Sequence, residues 1–285
     1  AVEITIYMHP LLFHRTLEPL YLVASLLEIS ILSLFSILSM KEKVIAPVRR
    51  FRTRNLLVPV FFFGDERKRT LIGKECLELW RSGILAPIVI GFIAPLLAVY
   101  GLVYLIDQGL GSDLRFNVVF FGSLIGFFGV MTYSWLNNVE LNETFDILPI
   151  TVVEVIRVKL HLYFIFTTVI SSVYIVVLGI IGDEVALIPL GLLVGLSTNF
   201  YVAYVTARLT GLKTNTMLLD AVTLTKFAIL VTPPLILLVI LSFSLEQGSW
   251  MPVLMMLVVS LSLLVLGIFF RQGIKGRWKR ERFGL

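Results

Sequence analysis

The chain has 285 residues, 58% hydrophobic and 15% charged, with a formal net charge of +5 and a mean hydropathy of +0.94. Its apolar residues come in long unbroken runs, the composition of a polytopic helical membrane protein of the all-α class, and the alternating ten-residue segments of a membrane β-barrel are absent. One cysteine, Cys76, excludes an intrachain disulfide framework and a multi-cysteine metal site, and the place of each basic residue decides what the basic pI of about 9.4 means.

In chain order, residues 1–45 form an outer segment and a leading span at 20–40. Glu28 is the one carboxylate well inside that span, and an ionisable group there is a functional hypothesis by default. As a proton or ion site it would support a secondary transporter; the plainer alternative is a buried hydrogen bond. Residues 46–83 follow as a basic linker, long for a connection within one bundle, so the leading span is expected to close a preceding unit. Within the linker, residues 67–83 are amphipathic. On a helical wheel Ile72, Cys76, Leu77, Leu79 and Trp80 share one arc, Lys74, Glu75, Glu78 and Arg81 the other, with Leu71 as the exception. That pattern predicts a helix lying in the membrane surface with Trp80 at headgroup depth, broken from the next span by Gly83 and Pro87.

Residues 84–285 carry six further spans, at 84–106, 118–137, 161–181, 186–207, 227–245 and 251–270. With seven spans, 22 of the 24 Lys and Arg fall in the segments on one side, 41–83, 138–160, 208–226 and 271–285. The excess of positive charge places those segments and the C-terminus in the cytoplasm of a cell whose plasma membrane the chain crosses. "GSLIGFFG", with Gly122, Gly126 and Gly129, and "GLLVG", with Gly191 and Gly195, are small-residue faces suited to close helix packing. His9, His14 and His161 have no partners at metal-ligand spacing, so no metal site is expected.

The stretch "ELNETFDILPITVVEVIRVKL", residues 140–160, stands out because it runs against the basic trend. Glu140, Glu143, Asp146 and Glu154 face only Arg157 and Lys159. Pro149 interrupts helical geometry, so the residues before it form a short helix with acids near its start. Thr151 and Glu154 then have capping-box spacing, which starts a new helix at Thr151. Running unbroken to Ile181 it would be about 46 Å long, roughly 15 Å more than the hydrocarbon core, so its first turns project from the membrane. An acidic transverse helix at such a tip fits a protein partner with a basic or polar groove.

The pairing of "GKECLELWRSG" before the first of six spans with "TFDILPIT" between the second and third resembles the membrane (permease) subunit of ABC transporters of the type-two exporter-like class, over residues 67–285. The resemblance implies a connecting helix carrying Lys74, Glu75, Leu79, Trp80 and Arg81. It implies a coupling segment at 140–150, with Glu143, Thr144, Phe145, Asp146, Ile147, Leu148, Pro149 and Ile150 docking into an ATP-binding subunit, and Glu154 and Lys159 at the start of the following span. A second permease unit, from the same chain upstream, a second copy or a related subunit, and membrane lipid are the other implied partners; nucleic acid is not one. No G-x-x-x-x-G-K-[ST] occurs, so ATP and Mg would sit on the partner and the chain itself would be no enzyme. The expected function is ATP-driven transport, as an exporter. A secondary transporter or a non-transporting membrane scaffold is the alternative.

Overall fold

The computed structural model describes residues 30, 66–83, 85–110, 116–138, 150–214, 220–247 and 250–279. The chain divides into two units, Ala1–Leu56 and Leu57–Leu285. Of the first only Ser30, helical and exposed, is described, so the leading span and Glu28 lie outside the described residues.

The second unit is built of helices, with no strand among the described residues. Helix α1 (Glu66–Ser82) is followed by six long apolar helices, α2 (Leu85–Leu110), α3 (Val118–Asn138), α4 (Val152–Ile181), α5 (Ile188–Thr210), α6 (Ala221–Phe243) and α7 (Trp250–Trp278). Each of the six is long and apolar enough to cross a membrane, which makes the chain a multi-pass helical membrane protein. Short 3₁₀ turns at Val185–Leu187 and Ser244–Gln247 lead into α5 and out of α6. The break between α1 and α2 falls at Gly83, whose φ of +71 suits a residue without Cβ.

Local chemistry explains where the helices begin. Thr151 and Glu154 form the reciprocal capping box, with Thr151 N–H donating to Glu154 Oε2 (2.8 Å) and Glu154 N–H to Thr151 Oγ1 (3.3 Å). Helix α4 then runs 30 residues without interruption, about 45 Å at the helical rise. At α6, Asp220 accepts from Val222 N–H and Thr223 N–H. Those bonds and one from the Thr223 hydroxyl hold its carboxyl below the usual carboxylate range, the hydroxyl being the largest cause. Helix α3 starts where Asn117 Oδ1 accepts from Phe120 N–H (3.0 Å) and Glu184 Oε2 from Val118 N–H (2.6 Å).

Helices α3 and α5 form the centre. In their most apolar stretches 56% and 50% of residues are buried, against 22–28% in the other four, which present Ile, Leu and Val side chains outward as a lipid-facing rim. The small-residue faces meet here. A Cβ on Gly122 would lie 2.7 Å from Gly191 O, and one on Gly126 would lie 2.6 Å from Thr198 O. Most hydroxyls in this centre are satisfied within their own helix, as Ser123, Ser197, Thr206 and Thr210 are by carbonyls three or four residues back.

The helix ends sort into two levels. At one, the end of α3, the start of α4, the end of α5 and the end of α7 share one apolar cluster with α1; we call it the basic end, since Lys74 and Arg81 of α1, Arg208 and residues 271–279 belong to it. Trp278 Nε1 donates to Arg208 O (3.2 Å) and Tyr133 OH to Gly211 O (2.9 Å), tying α7 and α3 to the end of α5. At the opposite end Asn117 Nδ2 donates to Ser242 O (2.6 Å), joining the start of α3 to the end of α6.

Candidate functional site at the basic end

Helix α1 turns a face of Leu71, Ile72, Gly73, Glu75 and Leu79 into the protein. Those positions recur at helical spacing, and burying the three aliphatic side chains contributes roughly 1.5–3 kcal/mol each. This departs from the sequence-based wheel at two places. Leu71 and Glu75 point inward, and Trp80, expected at headgroup depth, is 69% exposed beside the exposed Arg81. The reason is a cation placed to receive Glu75.

That cation is Lys159, two turns into α4. Its Nζ lies 3.4 Å from Glu75 Oε2 and donates to Leu136 O at 2.7 Å. Glu75 is 3% exposed and Lys159 1%. The carbonyl is one of the last four of α3, which have no partner within the helix, and a cation there also meets the negative end of the helix dipole. One ammonium therefore joins three elements: α1, the last turn of α3 and the first turns of α4. Lys74 lies on the other side of α1, half exposed and 3.8 Å from Glu78, a contact worth little by comparison.

Around this ion pair sits an apolar cluster that includes Tyr133, Leu136, Val155, Ile156, Leu160 and Tyr163, with the half-buried Cys76 and Ile150 packed against it. Burial, and secondarily the Glu75 charge, pushes the Cys76 thiol up, so the sulfur stays protonated. Ile150 is the one residue of the expected coupling segment that is described; Glu143, Thr144, Phe145, Asp146, Ile147, Leu148 and Pro149 lie outside the described residues. The helices on either side of the segment are in view: the last turn of α3 meets Lys159 through Leu136 O, and Lys159 lies two turns into α4. His161 is exposed on α4.

A second polar group was not singled out from the sequence. Tyr163 OH donates to Asn199 Oδ1, Asn199 Nδ2 donates to Thr167 Oγ1 (2.7 Å), and Thr167 Oγ1 donates to Tyr163 O (2.8 Å). All three residues are buried between α4 and α5, and a methyl group on Gly129 of α3 would run into the Tyr163 hydroxyl. The readable signal was Asn199 itself, an amide inside "GLSTNFYVAY", which has to find partners once it is out of water. No protein-family model matches the chain, and no curated protein or solved structure matches it.

Proposed function

We propose that this chain is the membrane permease of an ATP-driven transporter of the ABC type, working as an exporter with a separate ATP-binding subunit that carries ATP and Mg. In this reading the basic end faces the cytoplasm of the plasma membrane, residues 140–150 dock on the ATPase, and a second permease unit completes the path. The observation that carries the reading is the Glu75–Lys159–Leu136 junction. A push on 140–150 reaches the end of α3 and the start of α4, and the buried pair links both to α1, so the load spreads over three helices. Such a junction supports mechanical coupling of α1, α3 and α4.

The test uses Phe145, expected as the apolar anchor of the docking segment. Phe145→Ala should reduce co-purification of the ATPase, or uncouple its hydrolysis from transport, while the variant still inserts and folds; a buried aromatic anchor commonly costs about 2 kcal/mol or more on truncation. Asp146→Lys should act in the same direction, and Glu246→Lys should not. Wild-type co-purification and turnover for both Phe145→Ala and Asp146→Lys would remove the proposal.

A further inference from the structure

The basic end also carries an amphipathic surface where α4, α5 and α7 come together. Its apolar part is a triangle of rings, Phe164 of α4 with Phe200 and Tyr204 of α5, whose centroids lie 4.7–5.4 Å apart. Phe164 and Phe200 are half-buried, so part of each ring stays open to the surroundings. A Cβ on Gly267 of α7 would lie 2.6 Å from the Phe200 ring, which sets α7 beside the triangle. One turn further along the two helices, Tyr204 and Arg271 come level. Arg157 reaches the same place from α4, and the charges of both arginines act on the Tyr204 hydroxyl. Arg157 and Arg271 are exposed.

Depth in the membrane gives this arrangement its meaning. A hydrocarbon core of about 30 Å takes about 20 residues of helix. Counted from the far end of α4 at Ile181, the boundary comes near residue 162, with Arg157 outside it and Phe164 within. Counted from the start of α7 at Trp250, it comes near residue 269, and Arg271 stands just beyond. Two cations at headgroup level therefore adjoin aromatic rings at acyl-chain level. A single arginine at the end of a span follows from orientation alone, but here two from different helices converge on one hydroxyl. Glu154, the carboxylate nearest Arg157 in sequence, accepts from Thr151 N–H and Oγ1 in the capping box.

We propose that Arg157, Arg271 and Tyr204 form a binding site for the phosphate of an anionic glycerophospholipid, with Phe164 and Phe200 as the seat of its acyl chain. The guanidinium fork matches phosphate oxygens in pairs, and the Tyr204 hydroxyl adds a third donor. A soluble anion would use the arginines and leave the rings idle. A zwitterionic lipid would bring a cation of its own up to the two guanidinium groups, whereas an anionic lipid uses both parts of the surface.

The test is native mass spectrometry of the purified full chain, released from neutral maltoside micelles after titration with palmitoyl-oleoyl phosphatidylglycerol or its phosphatidylcholine counterpart. The two lipids share phosphate and acyl chains and differ in net charge. Phosphatidylglycerol should saturate a first site at one per chain, and phosphatidylcholine should bind there about tenfold more weakly or worse. Arg157→Gln and Arg271→Gln, at exposed positions, should each weaken phosphatidylglycerol about tenfold, and Tyr204→Phe, which keeps the ring, several-fold. Arg277→Gln removes an equal charge from another exposed position of α7 and should stay within about twofold of wild type. Equal retention of the two lipids, wild-type affinity in both Arg157→Gln and Arg271→Gln, or an equal loss in Arg277→Gln would overturn the proposal. Displacement of the lipid by an equal concentration of inorganic phosphate would also overturn it, by assigning the site to a soluble anion. Neither ATPase nor nucleotide enters the measurement, so its outcome is independent of the permease reading.

Discussion

Lys159 illustrates how one side chain decides an architecture. A buried ion pair is seldom a large net stabiliser, because both charges surrender their hydration; removing one partner is what costs, roughly 3–5 kcal/mol, since the other is left buried and uncompensated. Glu75→Gln and Lys159→Met should therefore each destabilise the detergent-purified protein by about that amount. The double variant Glu75→Leu with Lys159→Met should regain most of the loss, as apolar side chains replace both charges. Thermal unfolding followed by tryptophan fluorescence reads this directly, and single variants as stable as wild type would mean that the pair is solvated. The residue scale is also where the sequence was least legible. A helical wheel ranks Glu75 as polar and Trp80 as apolar, but which arc faces the protein depends on a lysine 84 positions further along the chain. Asn199 was passed over for a related reason, because an uncharged amide within an apolar run raises no alarm until its partners Tyr163 and Thr167 are in place.

Elements were more legible, where their signals are local. The capping box at Thr151 and Glu154 marks the start of α4 in four residues, and the helix ends at Ile181 as the unbroken apolar run implied. Span limits drawn from hydropathy fell short for α6 and α7, which were expected at 227–245 and 251–270 and extend over Ala221–Phe243 and Trp250–Trp278. Polar residues there continue the helix beyond its apolar core, which hydropathy does not register. The glycine faces of α3 and α5 were legible as packing surfaces, and they lend themselves to a controlled comparison. Gly126→Ala would place a Cβ 2.6 Å from a backbone carbonyl oxygen that cannot swing away, and should cost about 1–3 kcal/mol by forcing the two helices apart. Gly101→Ala in α2 meets nothing within 4 Å and should be neutral or stabilising by about 0.5–1 kcal/mol. Equal melting temperatures for the two variants would contradict the close α3–α5 approach.

For the whole molecule, the alternation of helix ends gives a topology that labelling can orient. On a Cys76→Ser background, cysteines replacing Lys213 at the basic end and Ala186 at the opposite end are both exposed sites and should react from opposite sides of the membrane. Positive-inside orientation predicts Lys213 from within the cell and Ala186 from outside; the reverse pattern would invert the proposed docking face. The α3–α5 pairing carries a mechanical consequence. With carbonyls of one helix against glycines of the other, almost no side chain stands between the two backbones, so neither can rotate or slide without a steric collision. The pair therefore counts as one stiff keel, and the degrees of freedom left to the bundle belong to α2, α4, α6 and α7. Any working cycle has to be composed of motions of those flanks about a fixed axis, and a spin-label pair spanning α3 and α5 should keep its distance in every state the protein visits.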